Sequence, residues 1–296
     1  MRFKIKIPAT SANLGPGFDC LGLALDWWNT IEVQTIARGL DVQIQPAKDF
    51  PDGADNLTVR AMRAAFRSAG RKFPALRIRM DCNIPIARGL GSSAAAIMGG
   101  VVAANALMKN RFSHYELLAL AAKIEGHPDN VAPALLGGLV VSVQDDGALV
   151  TARLQVPREL KCVLFVPDRA LSTSQARRSL PHRVPHADAI FNASRAALWI
   201  AAIKSRQWQW LETATRDRLH QHYRANLVRG MDELFSAALR TGARGVALSG
   251  AGPSVIAFTD RNPQKIAQAM ERTAKRLGIS GAAHVTRVSN RGAHLT

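Results

Sequence analysis

Apolar and polar residues alternate in several short stretches of the chain, which is the pattern of a strand with one buried face. In residues 3–7, Phe3, Ile5 and Ile7 alternate with two lysines, and residues 78–84 repeat the pattern until Pro85 ends it. Other short apolar runs predict strands at 31–36, 42–45, 139–143, 148–154, 161–166 and 283–288, and two strands joined by a tight turn within 245–258.

Helical periodicity lies between these strands. A helix is predicted at 56–69, closed by Gly70, and another at 113–124, where Ser113 and Glu116 have capping-box spacing. Further helices are predicted from the glycine-rich stretch at 89–92 to about residue 108, and at 188–204, 206–220, 225–241 and 262–277, whereas 172–188 is expected to be a polar connection. Mixed elements in both halves predict an α+β fold, with domains at 1–155 and 156–296.

Composition and charge narrow the class of protein. The 296 residues are 47% hydrophobic and 21% charged, which is ordinary for a globular protein. No apolar run reaches the roughly 18 residues needed to cross a bilayer, and the amino terminus lacks the pattern of a signal peptide. The three cysteines are far apart, which argues against a disulfide framework or zinc site and indicates a reducing, cytoplasmic location.

The formal net charge of +17 is unusual and could indicate a nucleic-acid partner. The basic residues are dispersed, however, and aromatic residues make up only 6% of the chain, without the interleaving of a single-strand binder. A basic surface around an anionic-ligand site is therefore the favoured interpretation. We expect no nucleic-acid partner and no membrane partner.

The sequence GLGSSAAA at 89–96 places glycines and serines in front of an alanine-rich helix. Unpaired amides at a helix amino terminus bind anions, and glycines let the backbone approach a ligand closely. A plain connecting turn is the alternative. The stretch lacks the GxxxxGK[ST] of a P-loop and the GxSxG of a hydrolase elbow. It matches GxGxxG/A of dinucleotide sites, but no acidic residue follows at the required distance.

Three segments together resemble the signature motifs of the GHMP small-molecule kinases. They are PATSANLGPGFDCLGLAL at 8–25, PIARGLGSSAAA at 85–96 and LSGAGPSVIAF at 248–258. The SANLGPGFD stretch in particular resembles the homoserine kinases, as do EGHPDNVAPALLGG at 125–138, STSQAR at 172–177 and DRLHQHYR at 217–224. The resemblance implies an α+β fold with an amino-terminal domain like ribosomal protein S5 domain 2 and a ferredoxin-like carboxyl-terminal domain.

The resemblance also implies ATP and Mg²⁺ at the glycine loop and transfer of the γ-phosphoryl group to the hydroxyl of L-homoserine. Glu125 and Ser93 correspond to the residues that ligate magnesium in this family, and a hard carboxylate oxygen suits that ion. The implied nucleotide contacts are Pro85, Ile86, Ala87, Arg88, Gly89, Leu90, Gly91, Ser92, Ser93, Ala94 and Ala95.

The implied homoserine site has two poles. Arg177 and Arg224 correspond to the arginines that hold the carboxylate, a role that suits the guanidinium fork. Asn13 and Asp19 correspond to residues near the amino and hydroxyl groups. Further contacts are implied for His127, Thr173 and Gly250.

The catalytic base is the least determined part of the site. Asp129 and Asn130 lie where some GHMP kinases have a catalytic aspartate, but homoserine kinases are described as lacking a strong base there. We therefore expect catalysis by approximation and electrostatics, with Asn130 positioning the hydroxyl and Glu125 assisting through the metal. The chain also departs from the family at His222, where proline is usual, which predicts a less rigid Arg224.

Two alternatives stay open at this point. A GHMP kinase with another acceptor, such as mevalonate or shikimate, would need no group for an ammonium, whereas Asp19 beside Asn13 suits an amino acid. A basic nucleic-acid binder that kept the fold without activity would not need the intact loop and arginines. The sequence also leaves open a homodimer.

Overall fold

The computed structural model describes residues 1–46 and 53–296, which form two β-sheets covered by helices. The first sheet is built on two long antiparallel strands, β1 and β2, which pair over almost their whole length. Its strands run in the order β11-β1-β2-β4-β3, and β5 and β6 extend it from the other part of β2. Their bounds are β1 Arg2–Asn13, β2 Gly17–Thr35, β3 Leu40–Gln45, β4 Leu76–Asp81, β5 Leu139–Asp145, β6 Ala148–Leu154 and β11 His294–Leu295.

Four helices cover the first sheet because their apolar residues need a buried face. Among them, α2 is apolar on nearly every side, since it lies between β1 and three other helices. Its Gly99 and Gly100 allow this close packing, because a Cβ atom would come within 2.3 Å of Ile31 and 2.4 Å of the carbonyl of Thr58 respectively. The bounds are α1 Leu57–Ser68, α2 Ser92–Leu107, α3 His114–Glu125 and α4 Pro128–Leu136.

The second sheet is antiparallel, with the order β10-β7-β9-β8. Helices α9 and α10 pack against it and contribute Leu234, Ile266 and Met270 to a second core cluster. The succession strand, helix, two strands, helix, strand in this order is the ferredoxin-like arrangement. The bounds are β7 Lys161–Pro167, β8 Gly245–Leu248, β9 Val255–Thr259, β10 Gly281–Arg287, α9 Met231–Arg240 and α10 Pro263–Arg276.

A mainly helical excursion connects β7 to α9 and contributes one wall of the site described below. It contains α5 Thr173–Arg178, α6 His186–Ser205, α7 Leu211–Ala214 and α8 Gln221–Arg224. The helix predicted at 206–220 is wrong, because this stretch is a 3-10 turn, the four residues of α7 and then a loop. The helix predicted at 225–241 begins only at Met231, and the connection predicted at 172–188 contains α5.

Three other elements were not predicted. Helix α4 carries Pro133 in its interior, which in the sequence suggests a break, and the first half of β2 is rich in glycine. The two residues of β11 pair with Ile5 and Lys6 and bring the end of the chain back to the first sheet. The domain boundary at 155/156 stays a prediction. Residues 294–295 fall in the predicted second domain, but they belong to the first sheet.

None of the helices in residues 1–46 and 53–296 is long and apolar enough to cross a membrane.

Candidate active site

The connection between β1 and β2 has an unusual backbone. Asn13, Leu14 and Asp19 all have positive φ angles, of 67°, 51° and 55°, which non-glycine residues rarely adopt. The Asn13 side chain holds the bend, since its Oδ1 accepts from the Asp19 N–H at 3.0 Å and its Nδ2 donates to the carbonyl of Gly250 at 2.9 Å. Such conformations persist only where the surroundings enforce them, and they concentrate at functional sites.

The glycine loop at 85–91 leads from β4 into α2. Gly91 is the amino-terminal cap of α2, with φ of 66°, and no side chain caps the helix. A Cβ atom on Gly91 would lie 1.8 Å from the Thr10 hydroxyl, and one on Gly89 would lie 2.1 Å from the Ser249 carbonyl. The loop thus needs both glycines, and the first amides of α2 stay available for an anion.

The third glycine segment, residues 249–254 of the third signature motif, forms hydrogen bonds directly with this loop. Ser249 Oγ donates to the Gly89 carbonyl at 2.6 Å, and the Gly250 N–H donates to the Ala12 carbonyl at 3.1 Å. The Leu171 N–H donates to the Ala87 carbonyl at 3.0 Å. Residues from both sheets therefore meet at the loop.

The opposite wall comes from the end of α3 and the start of α4. Ser93 Oγ donates a hydrogen bond to Glu125 Oε1. Burial raises the pKa of Glu125, and the hydrogen bond from Ser93 only partly offsets this effect. The hydroxyl and carboxylate predicted as magnesium ligands are thus adjacent, in a place where neutralising the carboxylate with a cation is favourable.

Asp129 and Asn130 at the start of α4 are held by neighbouring side chains. The Nδ1 atom of His127 lies 2.7 Å from Asp129 Oδ1, and Thr10 Oγ1 donates to Asn130 Oδ1 at 2.8 Å. Burial alone would lower the pKa of His127, but the hydrogen bond and charge of Asp129 outweigh it and raise that pKa. Asp129 Oδ1 is therefore already engaged in a contact with the His127 ring.

Two arginines form the third wall. Arg177 makes a bidentate ion pair with Asp19, at 2.9 and 2.6 Å. Arg224 is 1% exposed and donates from Nε to the Ala176 carbonyl and from Nη1 to the Gly250 carbonyl, both at 3.3 Å. Burial and the charge of Arg177 lower the pKa of Arg224 to about 10, so it is still a cation at neutral pH. The sequence predicts that Arg224 is held less rigidly because of His222, but these hydrogen bonds do not support that prediction.

These groups surround one cavity of about 290 Å³. Most of the predicted site residues line it, namely Asn13, Asp19, Ile86, Ala87, Arg88, Gly89, Leu90, Gly91, Ser92, Ser93, Glu125, His127, Asn130, Thr173, Arg177, Arg224 and Gly250. Pro85, Ala94 and Ala95 do not line this cavity, and their role as nucleotide contacts stays a prediction. Ala94 and Ala95 are buried within the first turn of α2, and Pro85 is the first residue of the glycine loop.

The cavity also has lining residues that the sequence reasoning did not identify. They are Ala12, Phe18, Ser172 and Ala251, together with Asp129, which was considered only as a base. The Phe18 ring centroid lies 5.5 Å from the guanidinium carbons of both Arg177 and Arg224. Phe18 lies inside the SANLGPGFD motif, and this position in the sequence could have indicated that it belongs to the site.

A second, more apolar cavity of about 270 Å³ adjoins the first and shares Ile86, Ser92 and Ser93 with it. Other lining side chains include Ile31, Leu57, Met80 and Cys82, and Ala95 also lies here. No sequence pattern indicated this cavity, because its walls come from five separate segments of the chain.

Two family models match segments of this chain that contribute residues to the cavity. The family model described as GHMP kinases N terminal domain matches residues 56–138, and the one described as GHMP kinases C terminal matches residues 199–276. The homoserine kinase of Caldicellulosiruptor saccharolyticus is 47% identical over 261 residues, which is 87% of this chain and 84% of that protein. The chain belongs to the homoserine kinase family of GHMP kinases.

Other relatives agree over almost the whole length. The homoserine kinase of Moorella thermoacetica is 41% identical and covers 98% of each chain. The crystal structure of homoserine kinase from Cytophaga hutchinsonii matches with a TM-score of 0.91 and 28% identity, over 100% of this chain and 97% of that one. The crystal structure of L. major mevalonate kinase in complex with R-mevalonate shares only the fold, with a TM-score of 0.72 at 15% identity over 96% of each chain.

The resemblance inferred from the three motifs is thus confirmed, as is the two-domain α+β GHMP kinase fold. The chain is a kinase of this family. The individual roles assigned to site residues stay predictions.

Proposed function

We propose that this chain transfers the γ-phosphoryl group of ATP to the side-chain hydroxyl of L-homoserine, giving O-phospho-L-homoserine for threonine biosynthesis. The observation that carries the proposal is the set of groups that line the cavity of about 290 Å³. An uncapped helix amino terminus at Gly91 faces a set of groups of both charges, Asp19 on one side and Arg177 and Arg224 on the other. That combination suits a phosphate donor together with an amino-acid acceptor.

The glycine loop would hold the triphosphate through the first amides of α2, with Ser92 and Ser93 close by. Mg²⁺ supplies charge neutralisation for phosphoryl transfer when it is bound. Ser93 and Glu125 fit this ion, since both offer oxygen and already contact each other. The described residues contain no group of three or more His, Cys, Asp or Glu that could hold a metal ion. The remaining ligands would therefore come from nucleotide and water.

The adjoining apolar cavity is the proposed place for the nucleotide base. It is continuous with the loop through Ile86, Ser92 and Ser93, and half of its lining residues are aliphatic or sulfur-containing, among them Ile31, Leu57, Met80 and Cys82. Burial raises the pKa of Cys82 to about 11, so this thiol is neutral and acts as part of the apolar wall.

The acceptor would lie between the two charged poles. Its carboxylate would contact Arg177 and Arg224, and its ammonium would contact Asp19 and Asn13. In the structure Arg177 and Asp19 neutralise each other, so a ligand with both charges can replace each partner with one of its own. A hydroxy acid without an ammonium would separate the pair and leave Asp19 without a cation, at a cost.

The reaction forms a bond between the acceptor oxygen and phosphorus and breaks the bond between phosphorus and the β-phosphate oxygen. The hydroxyl proton passes to an oxygen of the transferred phosphoryl group or to water, since no protein base is proposed to take it. Asn130, fixed by Thr10, would orient the hydroxyl, while Asp129 keeps its contact with His127. Positioning and electrostatics, with no strong base, would supply the catalysis.

An ADP-release assay with L-homoserine, mevalonate and shikimate tests the proposal directly. We expect turnover that depends on Mg²⁺ and ATP, with L-homoserine preferred by at least about a hundredfold in kcat/KM, because the other acceptors leave a charged group unpaired. Absence of turnover with L-homoserine would refute it. A cytoplasmic location, a homodimer and the lack of a nucleic-acid partner stay predictions.

A further inference from the structure

A completely buried histidine lies behind the arginine wall of the cavity. His220 is 0% exposed, and its ring contacts Arg224 on one side and the carbonyl of Gly15, in the connection between β1 and β2, on the other. We propose that His220 is a positioning residue whose neutral ring fixes the Arg224 guanidinium toward the acceptor carboxylate and sets its distance from the loop that carries Asp19. This inference rests on the proposed function.

The hydrogen bonds of the ring determine its tautomer. His220 Nε2 lies 2.7 Å from the Gly15 carbonyl oxygen, which can only accept, so Nε2 must carry the hydrogen. Nδ1 of a neutral ring then has a lone pair, and Arg224 Nη1 lies 3.0 Å from it. An arginine nitrogen can only donate, so the two contacts are consistent with one tautomer and no other.

The surroundings keep the ring neutral. Burial lowers the pKa of His220 to about 4, and the adjacent charge of Arg224 acts in the same direction, although Asp217 and Asp19 oppose it. Asp217 is also buried, and its Oδ2 accepts the backbone N–H groups of His220 and Gln221 at 2.9 and 2.7 Å. With the ring neutral, the 3.9 Å approach of Nε2 to Asp217 is a polar contact and not an ion pair.

These contacts leave one edge of the Arg224 fork for a ligand. Its recorded hydrogen bonds use Nε and Nη1, and within residues 1–46 and 53–296 Nη2 has no protein partner. The bond to His220 is the shortest of the three and the only one to a side chain. Because the guanidinium is planar, fixing Nη1 also fixes the direction of Nη2.

The same ring reaches the other pole through Gly15. This glycine lies in the strained connection that contains Asn13 and Asp19, and it has no room for a side chain, because a Cβ atom would lie 2.2 Å from the Thr215 carbonyl. His220 also packs against Phe18, with ring centroids 5.3 Å apart. One imidazole therefore connects the proposed ammonium-binding loop with the proposed carboxylate-binding arginine.

Two substitutions separate the two functions of the ring. In His220→Asn the amide oxygen replaces the Nδ1 acceptor, and in His220→Gln the amide NH₂ replaces the Nε2 donor. We expect His220→Gln to raise the KM for homoserine about tenfold or more, the effect of a lost bond to a charged group, with KM for ATP unchanged. We expect His220→Asn to keep the KM for homoserine within about threefold of the wild type. His222→Asn, at an exposed neighbour, is the control.

The proposal is overturned if both variants raise the KM for homoserine equally, or if they lower the melting temperature without changing the KM for homoserine. His220 would then be a purely structural residue. A second measurement does not depend on activity. In ¹⁵N spectra of the wild type, with the His220 signals identified by their loss in His220→Asn, the ring should show protonated Nε2 and unprotonated Nδ1 at pH 7. A protonated Nδ1 would overturn the proposal even if a variant fails to fold. If the wild type does not phosphorylate homoserine but shows this tautomer, the proposed function fails and the His220–Arg224 contact stands.

Discussion

The ion pair between Asp19 and Arg177 is the feature of single residues with the clearest consequence for binding. Both side chains are more than one third exposed, at 36% and 38%, so water screens the pair and its net contribution to folding is small. It can therefore open at little cost when a ligand supplies both charges. We therefore expect this pair to favour a zwitterionic ligand.

Removing Arg177 should weaken acceptor binding and leave the fold intact. For Arg177→Ala we expect the KM for homoserine to rise roughly tenfold to a hundredfold, because a charge-assisted hydrogen bond contributes about 1.5–3 kcal/mol. Steady-state kinetics measure this effect. Arg178→Ala, at the next position of α5, is the matched control, and an unchanged KM in Arg177→Ala would remove this residue from the site.

Glu125 allows a test of the proposed metal site. Glu125→Gln keeps an oxygen that can accept from Ser93 but removes the charge, so we expect the Mg²⁺ concentration for half-maximal activity to rise at least about tenfold. Because burial raises the pKa of Glu125, its charged form is disfavoured in the fold, and the melting temperature at pH 7 should not fall.

Glu159→Gln, at an exposed position, is the control for this substitution. A normal Mg²⁺ requirement in Glu125→Gln would assign the ion to other groups.

At the scale of residues, the sequence predicts positions that belong to a contiguous motif. Gly89, Gly91, Ser93 and Arg177 were found because each lies in a recognisable segment. His220 lies in such a segment too, but its role depends on Gly15, which is 205 positions away. A role that exists only through a distant carbonyl leaves no local pattern.

At the scale of elements, the glycine loop and the third glycine segment respond differently to substitution. Gly89→Ala would place a Cβ 2.1 Å from the Ser249 carbonyl at φ of 74°, whereas Gly250→Ala would meet nothing closer than 3.4 Å at φ of 58°. We expect Gly89→Ala to abolish ATP binding measured by calorimetry, since the loop must move. Gly250→Ala should cost only the backbone strain of about 1 kcal/mol.

If Gly89→Ala binds ATP as tightly as Gly250→Ala does, the contact between loop and turn is not required for the site.

The elements with strong local patterns were predicted well, and the others were not. The capping box of Ser113 and Glu116 is present in the structure, and α10 lies within one residue of its expected bounds. The stretch 206–220 has helical composition, but Asp217 there binds three backbone N–H groups and stabilises a loop instead. Local hydrogen bonds of the Asp217 side chain therefore outweigh the helical composition of this stretch.

At the scale of the whole molecule, the end of the chain belongs to the first sheet. Asn290 exchanges two hydrogen bonds of 2.8 Å with the backbone of Val156, the Ala293 N–H donates to the Ala134 carbonyl at 2.7 Å, and β11 pairs with β1. Removing residues 290–296 should therefore lower the melting temperature by roughly 5–15 °C, since several hydrogen bonds of about 1 kcal/mol each are lost.

Differential scanning calorimetry measures the change, with removal of Thr296 alone as the control. A melting temperature equal to that of the full chain would show that the first domain needs nothing from the last residues.

The hydrogen bonds between the glycine loop and the segment 249–254 have a consequence for turnover. Ser249 donates to the Gly89 carbonyl and Gly250 donates to the Ala12 carbonyl, so hydrogen bonds join the two halves at and beside the glycine loop. Opening and closing of lobes at this point would break those bonds in each cycle. We therefore expect molecules to enter and leave the cavity without separation of the two halves at the glycine loop, so that the size of an inhibitor matters more than any rearrangement of the halves.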